Sequence, residues 1–115
     1  MFKEIEIDLA SPDNSEFKKL LAENLEGAQS FEIHIWNEET EEIKLILNFG
    51  NFKYSQWEYG KIIEGKVTEA FKSFILSLDK PKDTEVYNKM TPFFSIFLDD
   101  RFFSEHYGTE IHIRL

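Results

Sequence analysis

Residues 91–108 read TPFFSIFLDDRFFSEHYG, and the number of strands in the sheet turns on whether this stretch is helix or strand. Thr91 followed by Pro92 is a good helix start. Phe93, Phe94, Phe97, Leu98 and Phe102 then recur at helical spacing before Gly108. That pattern favours a helix, with a Phe-rich strand over 93–98 as the competing reading.

The neighbouring segments are easier to place. EIHIRL at 110–115 alternates apolar and polar residues and closes the chain as a strand. Upstream, KIIEGKVTEAFKSFILSL at 61–78 carries Ile63, Val67, Ala70, Phe71, Phe74, Ile75 and Leu78 at helical spacing, which predicts one long helix ending at Lys80-Pro81. Between these, 79–90 is polar and reads as a loop.

In the first half, Ile5, Ile7 and Leu9 alternate with Glu4, Glu6 and Asp8, the pattern of a half-buried strand. SPDNSEFKKLLAENLEG at 11–27 predicts a helix with Pro12 in its first turn. Ser11 or Asp13 is its cap, Glu16 completes a capping box, Phe17, Leu20, Leu21 and Leu25 share one face, and Gly27 stops it. FEIHIW at 31–36 buries Phe31, Ile33 and Ile35. A polar turn over Glu38, Glu39, Glu41 and Glu42 then leads to Ile43, Leu45 and Leu47, which predicts a hairpin. A third strand lies between Gly50 and Gly60. The order predicts one α+β domain over 1–115: an antiparallel sheet of about four to five strands with two or three helices on one face.

Composition narrows the function classes. The chain has 115 residues, no cysteine and 16% aromatic residues, twelve of them Phe. A cysteine-free chain is easiest to place in a reducing cytoplasm. MFKEIEIDLA lacks the basic region and apolar run of a signal peptide, and no uncharged run reaches membrane-spanning length, so no membrane association is expected. Net charge is −9. All of the excess falls in residues 1–42, where twelve acidic residues face three lysines, whereas 43–115 balances to zero. Direct nucleic-acid binding needs a basic stripe, and this chain offers the reverse.

The tetrapeptide Glu-Ile-His-Ile occurs twice, at 32–35 and 110–113. Glu32, His34, Glu110 and His112 would form a metal site only on neighbouring strands, about 4.8 Å apart. A split β-α-β order puts the two strands at opposite edges of the sheet, so no metal and no other cofactor is expected. GKIIEGKV at 60–67 matches the start of a phosphate-binding loop but has Val67 where Ser or Thr must hold magnesium. Asp99, Asp100, Arg101, Glu105 and His106 cluster near the Phe-rich segment without a nucleophile beside a base, so no catalytic residue is assigned.

What remains is a surface. Glu4, Glu6, Asp8, Glu32, His34, Trp36, Glu110 and His112 point away from the core if their strands share a sheet, and Glu38, Glu39, Glu41 and Glu42 extend the acidic field. Trp36 is an anchor candidate, whereas Trp57, between Tyr54 and Tyr59, reads as core. Bacterial immunity proteins and inhibitors that neutralise basic nuclease toxins share this profile of a small, acidic, cysteine-free chain. The expected partner is therefore a basic protein, met without catalysis, and whether the chain is a monomer or a homodimer is open. Two alternatives compete: a nucleic-acid mimic that occupies a DNA- or RNA-binding protein, and a ligand-binding protein or enzyme with a pocket near Phe93–Phe103.

Overall fold

A computed structural model describes residues 1–82 and 88–115; residues 83–87, part of the expected 79–90 loop, lie outside the described residues. The chain runs β1 (Phe2–Ile5), α1 (Ser15–Leu25), β2 (Ser30–Trp36), α2 (Thr40–Ile46), β3 (Asn51–Lys53), β4 (Gly60–Lys66), α3 (Glu69–Leu76), β5 (Ser95–Leu98), β6 (Phe102–Glu105) and β7 (Glu110–Arg114). The α+β class matches the expectation. The sheet has seven strands rather than four or five, all pairs antiparallel, in the order β1-β7-β6-β5-β2-β4-β3.

Several sequence expectations fail, each for a local reason. The strand expected over Glu4–Leu9 stops early: β1 is Phe2–Ile5, and Ile7 and Leu9 pack against the core from beyond its end. The 91–108 stretch is the hairpin β5–β6, not a helix. Asp99 and Asp100 turn it with φ of 50° and 54°, the left-handed pair at the centre of a turn closed by the Arg101 N–H on Leu98 O. Because Leu98 pairs with Phe102, Arg101 is the third residue of the loop. The supposed long helix over 61–78 is strand β4 followed by α3. Thr68 separates them: its hydroxyl accepts the Phe71 N–H at 3.1 Å and caps α3. The expected hairpin partner over 43–47 is helix α2. Ile46 is buried in the core with Ile43 packed beside it, while Leu45 and Leu47 are exposed, which is helical spacing rather than alternation.

Helix α1 forms as predicted, but its start differs. Asn14, not Ser11 or Asp13, is the N-cap, and Pro12 precedes the helix. The buried Asn14 amide donates instead to Leu78 O at 3.1 Å and Met90 O at 2.8 Å. It thereby ties the ends of two distant segments to α1. Glu16 accepts the Asp8 N–H rather than closing a capping box. Gly27, at φ 79°, ends the helix as expected.

The helices cover one sheet face. Phe31, Ile33, Ile63, Ile96, Leu98, Phe102 and Ile111 point from the strands into a core shared with Phe17, Leu21 and Leu25 of α1 and Phe71 and Ile75 of α3. Phe71 stacks on Phe31 with ring centroids 4.1 Å apart and planes 3° from parallel. Gly65 is required beneath this stack, because a Cβ there would stand 2.6 Å from Phe49 O and 2.7 Å from the Phe31 ring. The phosphate-loop resemblance at 60–66 therefore has a different origin: the span is an antiparallel strand, and its second glycine serves packing.

Asp99 also staples the hairpin turn to the start of β2. Its carboxylate accepts the N–H groups of Gln29 and Ser30, both at 2.8 Å, and the Ser30 hydroxyl at 3.0 Å. Burial alone would raise its pKa, but the two backbone donors, the hydroxyl and nearby Arg101 hold it below the ordinary aspartate value. A depressed folded pKa contributes stability above the unfolded pKa, and that stability is lost as pH falls through the folded value. Asp99→Asn keeps the turn geometry and is expected to cost about 1 kcal/mol at neutral pH, solvent screening included. In urea titrations the gap from wild type should close once the medium is acidic enough to protonate Asp99. A gap that persists there would mean that the carboxylate charge is not what holds the turn.

Candidate functional site: the open face of the sheet

The face opposite the helices has no covering element among the described residues. Strand register places Glu4 of β1, His112 of β7, Phe103 of β6, Phe97 of β5, Glu32 of β2, Glu64 of β4 and Asn51 of β3 in one row across it. Phe2 and Arg114 lie to one side of this row, and Glu105, Glu110, His34, Trp36, Ile62 and Lys53 to the other. Open-face carboxylates at Glu4, Glu32, Glu64, Glu105 and Glu110 thus outnumber the cations that the register puts on this face among the described residues, Lys53, Lys66 and Arg114.

A line of aromatic rings crosses the same face. Phe2 meets Phe103 at 5.5 Å, Phe103 meets Phe97 at 5.3 Å, and Phe97 meets His34 at 4.9 Å. His34 then lies 6.0 Å from Trp57, which meets Trp36 at 4.9 Å; Trp36 in turn meets Phe94 at 5.0 Å. Most of these rings are half-buried, and Phe2 is 49% exposed. The expected acidic face is therefore acidic and aromatic together. Offset and edge-to-face contacts of this kind hold rings in place without a covering layer.

Trp57 corrects an expectation, for it belongs to this face and not to the core. Gly60 lies opposite Trp36 in the β2–β4 pair, and the Trp57 ring occupies the space where a Cβ at position 60 would stand. Gly60→Ala should lift the indole off the sheet and shift its fluorescence to longer wavelength, with the β2–β4 pairing intact by circular dichroism. An unchanged emission maximum would show that the ring does not rest on Gly60.

Two ion-pair systems order the polar groups. Glu32 accepts from Lys53 Nζ and contacts His34 Nε2, both at 2.7 Å. Burial pushes its pKa up, but these two partners outweigh it and leave the carboxyl below its usual value. The Lys53 ammonium is held protonated more firmly by its bond to Glu32. At the other side, Arg114 donates to Asp100 Oδ2 at 3.0 Å and to Asp100 O at 2.8 Å, with its guanidinium 4.7 Å from the Phe2 ring centroid.

The sequence-predicted acidic set is divided by the fold. Glu4, Glu32, His34, Trp36, Glu110 and His112 share the open face, as anticipated. Glu6 and Asp8 fall beyond the end of β1, where Asp8 accepts the Ala10 N–H. Glu38, Glu39, Glu41 and Glu42 are not a hairpin tip; they precede and begin α2, where negative charge complements the helix dipole. Glu39 is half-buried and accepts the Trp36 N–H at 3.1 Å and the Tyr107 hydroxyl at 3.0 Å. Burial raises its pKa against these donors, and Glu42 adds to the rise. It is a structural carboxylate.

The two Glu-x-His copies do not meet. Strands β6 and β5 separate β7 from β2, a distance of about 14 Å at normal strand spacing. The expectation of opposite edges is corrected, since β2 lies inside the sheet and β7 is second from the end. Among the described residues no group of three or more His, Cys, Asp or Glu is placed to hold a metal ion. His106 instead pairs with Glu110 at 2.6 Å. The Phe-rich segment splits between layers: Phe93 and Phe102 are buried in the core, while Phe97 and Phe103 line a surface groove of about 850 Å³ at the Asp99–Asp100 end of the open face.

Sequence reasoning missed Phe2, Phe97, Phe103, Lys53 and Glu64 as members of this face. The available signal was the pair of short apolar runs, SIFL and RFFSE, flanking Asp-Asp, which is a hairpin spacing. No helix among the described residues is long and apolar enough to cross a membrane. No family model, no curated protein and no solved structure matches the chain.

Proposed function

We propose that the protein is a non-enzymatic binding module that docks a basic protein on its open sheet face, acting as an inhibitor or immunity protein that covers the cationic active site of a nuclease toxin. The observation that carries this reading is the continuous line of rings bordered by open-face carboxylates. Aromatic side chains supply the contact area that dominates protein interfaces. The surrounding negative field accelerates encounter with a cationic partner and disfavours acidic ones. The rigid sheet holds both in register, so little ordering accompanies binding.

The test is stoichiometric inhibition. A basic nuclease from the source cells, titrated with the purified protein at low salt, should lose activity linearly to an end point at one equivalent. Tight binding with full residual activity would overturn the inhibitor role. If the bound protein were a DNA- or RNA-binding protein without nuclease activity, and displaced its nucleic acid on binding, nucleic-acid mimicry would replace the toxin reading.

A further inference from the structure

We infer that the groove over Phe97 and Phe103 is a receptor for an arginine side chain of the basic partner; the inference rests on the docking reading above and specifies where that partner is anchored. The groove lies where the start of β3, the end of β4 and the β5–β6 turn converge. Phe97 and Phe103 line it, with Glu64 and Asp100 among its carboxylates. Four carboxylates line it in all, with Glu32 and Asp99 completing the set, against the ammonium groups of Lys53 and Lys66. The balance selects a cation.

The molecule supplies its own example of the chemistry. A few ångströms along the same face, the Arg114 guanidinium lies over the Phe2 ring at 4.7 Å while donating to Asp100 at 3.0 Å. That is an arginine held between an aromatic face and an aspartate. The groove repeats the combination one ring further along the aromatic line, because Phe103 contacts Phe2 on one side and Phe97 on the other. There the ring pair faces solvent instead of an internal arginine.

The carboxylates differ in availability. Glu32 is engaged by Lys53 and His34, and Asp99 by the backbone of Gln29 and Ser30. Glu64 is exposed and, among the described residues, makes no ion pair or side-chain hydrogen bond, although its charge adds to the field that keeps Lys53 protonated. An incoming guanidinium therefore finds a carboxylate at Glu64, the outer edge of Asp100, and two rings to stack on. A planar, weakly hydrated cation suits this combination better than a compact ammonium.

The experiment titrates isotopically labelled protein with acetyl-Gly-Arg-Gly amide, followed by amide and aromatic NMR shifts. The same peptide with lysine, and with the neutral isostere citrulline, in place of arginine serves as the comparison. Saturable shifts confined to Asn51, Gly65, Phe97, Asp99, Asp100 and Phe103 are expected with arginine, several-fold weaker with lysine and absent with citrulline. Glu64→Gln, an exposed change, and Phe103→Leu should each weaken binding about three- to tenfold. Shifts spread over α1 and β1, or equal responses to arginine and citrulline, would overturn the inference. The two proposals separate cleanly: a basic partner that binds Glu64→Gln and Phe103→Leu as tightly as wild type leaves docking standing and removes the groove as anchor. Arginine-peptide binding without any basic protein partner would do the opposite.

Discussion

Phe71→Ala is expected to lower the stability of the fold by about 3–5 kcal/mol, the cost of deleting a fully buried aromatic ring that the surroundings cannot refill. Phe71 is 0% exposed and is the link between α3 and the sheet: its ring stacks on Phe31 and meets Phe49 edge-on at 5.9 Å. Its loss leaves Phe31 without its partner and opens space above Gly65, where no side chain can fill in. For a domain of this size the thermal midpoint should fall by roughly 10–20 °C. Phe74, one turn on, is half-buried and stacks on Phe49 at 4.8 Å, so Phe74→Ala should cost clearly less. Equal costs at the two positions, read by chemical denaturation, would contradict the placement of α3.

The second large effect concerns the open face. Reversing Glu4, Glu64 and Glu110 to lysine should slow low-salt association with the basic partner by about 10–100-fold, because these exposed carboxylates supply the local field that steers encounter. The wild-type rate should itself fall as salt shortens the screening length, and the variant rate should be nearly flat with salt. Stopped-flow mixing across an ionic-strength series measures both. A variant with the wild-type rate and salt slope would place the steering field elsewhere on the molecule.

Much of the fold was legible from sequence where one signal stood alone. Strands β2 and β7 follow from strict alternation, and α1 from its apolar stripe and terminal glycine; the alternation over 4–9 overlaps β1 only at Glu4 and Ile5. The errors came where two periods overlapped. Ile63 belongs to β4 and Val67 to the link that follows it, yet both fall in helical phase with Phe71 and Phe74 of α3, so the stripe seemed continuous across a real break. The break was marked by Gly65, by β-branched neighbours and by Thr68, a capping residue in the middle of a supposed helix. Residues 43–47 misled in the opposite sense, because Ile43, Leu45 and Leu47 alternate by accident while Ile43 and Ile46 do the packing.

The candidate site was half legible for a related reason. Outward-facing carboxylates on alternating strands can be read directly, and Glu4, Glu32, His34, Trp36, Glu110 and His112 do share a face. The aromatic half was missed, because it depends on the β5–β6 hairpin, whose spacing signal was outweighed by the helical phase of the phenylalanines. Its turn uses Asp99–Asp100 rather than the Asn-Gly or Asp-Gly pair that usually announces such a turn. Only the three-dimensional register puts Phe97 and Phe103 beside Glu32 and His112.

The docking claim is tested most directly by capture from source-cell lysate on three immobilised proteins at low salt, eluted with a salt step. The first is wild type and the second carries the Glu4, Glu64 and Glu110 reversals. The third carries reversals at Glu23, Glu26 and Asp79, which lie on the helix side or next to it. Both variants raise the net charge of −9 by the same six units, so only the position of the charge differs. One basic protein retained by wild type and by the helix-side variant, and lost from the open-face variant, is the predicted result. Equal retention on all three columns, or loss from both variants alike, would contradict the open face as the docking surface.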